Sequence, residues 1–262
     1  MTSRYSERMT QGTLQGKQAI ARLVELDRLR VWSVVITIFG DAVVDRGGVV
    51  ASSTLAAVIS EMGIKPEAFR VAMSRLTKDG WVERSKQGRL SFYKLSQKGI
   101  AVFGPATKRI YAKEAGSAEG WRFVVVRGAI KDLPEGSIIL SGRAYLTQSK
   151  EYITDGLVMS GTFDALPNWA KVRIGPKNIN HGYRELFSVL RNVSTECETP
   201  LEAAALRCLI VHQWRRLVLR HGDLPQSFFP SDWQGEACRA LVQQLLANLA
   251  PAANVWFASE MP

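Results

Sequence analysis

The side chains in this sequence best suited to chemistry are not spaced for catalysis. His181, His212 and His221 form no HExxH pattern, and His212 and His221, nine residues apart, share no helix face for a metal. Cys197, Cys208 and Cys238 are odd in number and lack metal-ligand spacing, so they read as small thiols held in a reducing compartment. No G-x-S-x-G elbow, phosphate loop or dinucleotide fingerprint occurs. The expectation is of a chain with no catalytic residue, no metal and no cofactor.

A different chemistry is legible between Ser53 and Leu95. Arg70, Val71, Ser74, Arg75 and Lys78 recur at offsets of three and four, which places them on one face of a helix opposite an apolar stripe of Phe69, Ala72, Met73 and Leu76. Arginine and serine at such spacing suit hydrogen bonding to base edges, and lysine suits phosphate. Lys65 precedes this helix, and Arg84, Lys86, Gln87 and Arg89 follow it. These residues are the candidate DNA contacts: Lys65, Arg70, Val71, Ser74, Arg75, Lys78, Arg84, Lys86, Gln87 and Arg89. Taken alone, a cationic helix face is also what an ordinary solvated helix presents.

The elements needed to position that face are present. Leu55, Val58, Ile59 and Met62 predict a preceding helix capped by Ser52 or Ser53 and stopped at Gly63. Pro66 suits the first turn of the second helix, and Gly80 ends it. Two strands, Trp81–Arg84 and Leu90–Leu95, are expected next, joined by a basic loop Ser85–Arg89. Val31–Phe39 is apolar on nearly all sides and reads as a buried first helix, and Val49–Ala51 as a short strand pairing with the ribbon. This is the plan of a winged helix-turn-helix.

Charge is distributed to match. The chain carries 34 Lys and Arg against 24 Asp and Glu, and residues 1–110 hold 18 of the basic and only 9 of the acidic residues. The remaining 152 residues are nearly balanced, 16 against 15. The excess therefore lies with the helix-turn-helix, as a phosphate-binding region requires.

Along the rest of the chain, residues 1–12 are polar, and Leu14–Arg30 has the period of a helix suited to packing on a second subunit or, less readily, to touching phosphate. Ser96 is expected to cap a helix running past Tyr111, and Ala115–Gly120 is a linker. Trp121–Val126, Ile138–Leu140, Ala144–Leu146, Leu157–Phe163 and Lys171–Ile174 read as short strands. Helices follow at Gly182–Leu190, Leu201–Arg220 and Gly235–Asn248. The organisation expected is an arm at 1–30, a winged-helix domain at 31–115, a small central α+β domain at 120–178 and a helical domain at 180–262. The first 20 residues lack an apolar run and Val31–Val44 is too short to span a bilayer, so a cytoplasmic protein is expected.

Trp214, Arg216 and Arg220, with the aromatic turn Phe228–Trp233, form a second candidate constellation. Paired guanidinium groups beside aromatic rings could hold an anionic ligand. The blander alternative is that the arginines pair with Asp223, Asp232 or Glu236 and pin the turn.

The sequence resembles the phenylacetic-acid degradation operon repressors, the PaaX-like transcriptional regulators. The similarity is carried by VITIFGDAV (35–43) leading into Gly47-Gly48, by EAFRVAMSRLTKDGW (67–81), by the ribbon ending in FYKLSQKG (92–99), and by Trp214-Arg215-Arg216 and Asp223-Leu224-Pro225 through Phe229–Ala237. The resemblance implies a homodimeric repressor of a catabolic operon, bound to inverted-repeat double-stranded DNA. It also implies an N-terminal winged helix, a central ferredoxin-like domain similar to that of the Cas2 proteins, a helical C-terminal domain, and an aryl-acyl-coenzyme A effector that releases the DNA. Trp214, Arg216, Arg220, Phe228 and Trp233 are the candidate effector contacts. Two departures stand out: little space for a helix between Val126 and Ile138, and no tryptophan shortly before Gly182. The rival readings are a Cas2-like metal-dependent nuclease, disfavoured by Arg127 where an acidic residue would serve at the end of the first central strand, and a winged-helix protein-interaction scaffold.

Overall fold

A computed structural model of the chain describes residues 13–117, 119–134, 136–150, 155–161 and 166–260. The polar segment 1–12 lies outside the described residues. The chain divides into two units that alternate along the sequence: Met1–Ala101, Ser188–His212 and Gln244–Pro262 form one, and Val102–Phe187 and Gln213–Gln243 the other.

In the first unit, α1 (Gly16–Glu25) buries Ile20 and Leu23, shorter than its apolar period suggests. α2 (Val31–Ile38) is buried on most sides and runs into a π-helical turn, Phe39–Val43. β1 (Val49–Ala51) leads directly into α3 (Ser52–Glu61), and α4 (Pro66–Lys78) follows after Gly63, whose φ of 73° is the left-handed conformation glycine tolerates. β2 (Val82–Gln87) and β3 (Leu90–Leu95) form a hairpin, and β1 adds to β3 to give an antiparallel sheet of order β1-β3-β2. α2 packs against α3 and α4. The core between them holds Val34, Val35, Ile38, Leu55, Val58, Ile59, Phe69, Met73 and Leu76.

The structure departs from two local expectations in this unit. Neither Ser52 nor Ser53 caps α3: Ser52 is already helical and Ala51 occupies the cap position with no side-chain cap bond. Ala51 is also paired with Phe92, so sheet pairing brings the chain into the helix without a hydroxyl to start it. The basic loop expected at 85–89 shrinks to Gly88-Arg89, because the ladder continues from Val82↔Leu95 to Gln87↔Leu90 and takes in Ser85, Lys86 and Gln87. Residues 83–87 are all exposed, so no apolar alternation marks them as strand.

α5 (Gln97–Ile110) begins as expected, with the amide of Gly99 donating to Ser96 Oγ at 3.1 Å, and ends one residue short of Tyr111. In the second unit, β4 (Arg122–Val126), β5 (Ile138–Ser141), β6 (Ala144–Thr147) and β7 (Gly156–Ser160) make an antiparallel sheet of order β5-β6-β4-β7. Thr162 and Phe163, the end of the strand expected at 157–163, lie outside the described residues. Between β4 and β5 the described residues contain no helix.

The strand expected at Lys171–Ile174 is instead the end of a helix, α6 (Asn168–Ile174). Its buried residues, Ala170 and Ile174, are four apart, a spacing that a four-residue window cannot distinguish from alternation. α7 (Lys177–Leu190) starts earlier than Gly182, and α8 (Pro200–Val218) stops short of Arg220. α9 (Gly235–Glu260) passes through Pro251 well beyond Asn248, its far end held by buried Leu249, Ala253 and Phe257. Among the described residues no helix is long and apolar enough to cross a membrane.

Candidate nucleic-acid interface

α4 is built to keep one side dry and one side wet. Pro66 sits in its first turn, and Arg75 and Lys78 lie in its last, where cations favour the helix dipole. Phe69, Ala72, Met73 and Leu76 are buried, whereas Arg70, Val71, Ser74, Arg75 and Lys78 are exposed. Burying four such apolar side chains ties the rotation of the helix to the core, and thereby aims the polar side outward. Lys65, Arg84, Lys86, Gln87 and Arg89 are exposed as well.

The structure gathers some of these residues and leaves others apart. A cleft of about 560 Å³ between α4 and the hairpin brings Arg70, Ser74 and Lys78 opposite Arg84, with Phe69, Met73 and Tyr93 also lining it. Arg84 is held there, donating to Ser91 Oγ at 2.7 Å and lying over the Tyr93 ring at 6.0 Å. Val71 and Arg75 line a shallower hollow along the same helix, shared with Arg70, Ser74, Lys78 and Asp79. Lys65, Lys86, Gln87 and Arg89 line neither.

Two carboxylates, Glu67 on the same exposed face and Asp79 just past the helix, condition the arginines. Arg70 Nη1 lies 3.6 Å from Glu67 Oε1, and Arg75 Nε lies 3.4 Å from Asp79 Oδ2. Their spacing, i,i+3 and i,i+4, was available in the sequence as a signal. Ser52, Thr77 and Ser91 also line the cleft. Thr77 was legible as one more residue of the same face, whereas Ser91 is placed by its pairing with Lys86 across the hairpin, which only the register reveals.

Of the second constellation, the aromatic residues Trp214 and Trp233 belong to one buried cluster. Trp214 is fully buried and its indole N–H donates to the Ile110 carbonyl at 2.8 Å. Tyr183 lies 5.8 Å from Trp214 and 5.2 Å from Trp233, which stacks on Phe229 at 4.4 Å. Phe228 is buried, Arg216 is half-buried with Nη1 donating to Gln213 Oε1 at 3.1 Å, and Arg220 is exposed. The nearby carboxylates meet other groups: Asp232 accepts from Arg184, Glu236 from Arg239, and Asp223 from the amide of Gly116.

Sequence reasoning missed Tyr183, Arg109 and Arg239, which complete this cluster. Tyr183 Oη lies 2.7 Å from His221 Nε2, while His221 Nδ1 lies 2.7 Å from the Gly222 carbonyl. The carbonyl requires Nδ1 to donate, so Nε2 accepts from the phenol. Burial pushes the His221 imidazole down to about 4, with Arg109 and Arg239 acting in the same direction against the Gly222 bond and Asp223. Burial likewise pushes the Tyr183 phenol and the Cys238 thiol up. Arg109 donates to the Val218 and His221 carbonyls, and Arg239 to those of Arg109 and Ala112. Among the described residues no group of three or more His, Cys, Asp or Glu could hold a metal ion.

Fold and site together define a mixed α+β protein with two small antiparallel sheets, a helical C-terminal part and a cationic helix face. The family model described as PaaX-like protein matches residues 30–99, and that described as PaaX-like protein C-terminal domain matches 176–259, together more than half of the chain. The chain belongs to the PaaX-like family. It is 28% identical over 256 residues to the transcriptional repressor PaaX of Escherichia coli (strain K12), covering 84% of this chain and 81% of that protein. A partial similarity, 26% over 111 residues, connects it to a riboflavin kinase of Thermofilum pendens, covering 41% of this chain and 47% of that protein. Among solved structures, the uncharacterized protein Rv0674 from Mycobacterium tuberculosis shares the fold, with a TM-score of 0.54 and 16% identity over 86% of this chain and 97% of that one.

Proposed function

We propose that this chain is a DNA-binding transcriptional regulator, a cytoplasmic repressor of a catabolic operon, in which α2 to β3 form a winged helix. α4 enters the major groove and the β2–β3 hairpin follows the phosphate backbone. The observation that carries this reading is the division of α4 into a buried apolar side and an exposed side bearing Arg70, Ser74, Arg75 and Lys78, next to a cleft that Arg84 of the hairpin completes. Membership of a family that includes a named transcriptional repressor supports the same reading. The order β5-β6-β4-β7, antiparallel throughout, is that of a ferredoxin-like sheet and supports a central domain of that kind.

As a homodimer the protein would present two copies of α4 to an inverted repeat, with half-sites about one helical turn (~34–36 Å) apart or a multiple of it. The test is fluorescence anisotropy of the full chain with duplexes over a range of salt. Binding that falls steeply with salt and discriminates between sequences is expected, and salt-independent or absent binding overturns the proposal.

An acyl-coenzyme A thioester is proposed as the effector that releases DNA. Arg216 and Arg220 would meet its phosphates, while Trp214, Phe228 and Trp233, being buried, would shape the wall behind them. Such a ligand acts only by binding the DNA-incompetent arrangement more tightly. Titrating a protein–duplex complex with aryl- and alkyl-acyl thioesters tests this, and retention of DNA with all of them overturns it.

A further inference from the structure

Val71 is the most exposed of the large apolar side chains described, at 69%, and it sits in the middle of the polar side of α4. Arg70 precedes it, Ser74 lies three residues on and Arg75 four, and all of them share one hollow of about 600 Å³. A β-branched residue at an exposed helical position is a poorer helix former than the alanine, lysine or arginine that could stand there. Single exposed apolar residues are common on protein surfaces. This one is set apart by its neighbours, a ring of donors suited to base edges.

We propose that Val71 packs against the 5-methyl group of a thymine in the major groove. Each operator half-site then carries a T·A pair within one or two base pairs of a guanine read by Arg75. The inference rests on the assignment of α4 as the recognition helix.

The chemistry leaves little choice of target. An isopropyl group can neither donate nor accept a hydrogen bond, and the thymine methyl is the apolar group that base pairs display in the major groove. Cytosine carries only a hydrogen at the ring position where thymine has its methyl, so the same side chain would find no apolar group to pack against. Residues four apart on a helix are about 6 Å apart. With base pairs about 3.4 Å apart, that separation places the guanine read by Arg75 one or two steps from the thymine.

The test uses the full chain and duplexes enriched by it from a randomised pool, in which each thymine is replaced in turn by deoxyuridine, removing only the methyl. One position per half-site should weaken binding about three- to fivefold, the equivalent of one methyl group's burial. Val71→Ala, an exposed change to a better helix former, should abolish that sensitivity and leave the salt dependence unchanged. Enriched duplexes with no uracil-sensitive position, or a sensitivity that survives in Val71→Ala, overturn the assignment of Val71 while the recognition helix stands. A parent chain that enriches no sequence overturns the proposed function, and this inference with it.

Discussion

Asp41 and Arg207, 166 positions apart, meet in a two-pronged pair: Arg207 Nε donates to Asp41 Oδ2 at 2.8 Å and Nη2 to Oδ1 at 2.7 Å. The third arm, Nη1, donates to the Leu246 carbonyl at 2.8 Å, so one guanidinium joins the π-helical turn after α2 to α8 and α9. The side chains are 1% and 17% exposed respectively. Removing one partner would leave the other charge buried without this two-pronged pairing. Arg207→Met is therefore expected to cost about 3–5 kcal/mol, and the double variant Arg207→Met with Asp41→Leu much less. Urea unfolding of the three chains decides it, and a double variant no better than the single one would count against a simple pair.

The two sets of cations on the proposed interface should respond differently to truncation. Arg70→Ala or Arg75→Ala is expected to cost about 1–3 kcal/mol on the preferred duplex and to relax base preference. Lys86→Ala should weaken all duplexes alike and lower the slope of log affinity against log salt by about 1. Anisotropy titrations on preferred and scrambled duplexes separate the two.

Asp79 restrains Arg75, and a carboxylate near a phosphate chain repels it. Asp79→Ala should raise affinity for scrambled duplexes about twofold at low salt, with the gain shrinking as salt rises. Affinity for the preferred duplex should rise less, so the ratio between the two narrows. An unchanged ratio would mean that Asp79 has no part in selectivity.

His221 makes stability depend on pH. Its folded value of about 4 lies below the ordinary imidazole value of 6.5, so between these limits the unfolded chain binds a proton that the folded chain refuses. Stability is then full above about pH 6.5 and declines as pH falls toward 4. His221→Gln should lose part of that slope in unfolding midpoints measured between pH 7 and 4. Tyr183→Phe, which removes the phenol that donates to the neutral imidazole at Nε2, should raise the folded value, so that the decline still begins near 6.5 but levels off at a higher pH and is smaller in total.

Much of the candidate interface is a local property of the chain. The apolar stripe Phe69, Ala72, Met73 and Leu76 repeats within 13 residues, and a helix carrying it can bury only that side, so the exposure of Arg70, Val71, Ser74, Arg75 and Lys78 follows from composition and period. The turn at Gly63 and the cap at Ser96 are equally local. The extent of the hairpin was not legible, because its outer residues have no buried side and only backbone pairing with β3 makes them a strand. The same limit hid α6, too short for its period to show.

What the sequence determined on its own was the orientation of α4, since hydrophobic period acts between near neighbours and needs no partner to be identified. The tertiary structure alone decided which distant groups meet. Arg84 faces Ser74 and Lys78 across a cleft, Arg207 closes on Asp41, and Trp214 gives its indole N–H to Ile110, which makes the aromatic residues around it a core. These contacts depend on the register of strands and the crossing of helices, and both are set by packing between segments whose separation no local pattern records.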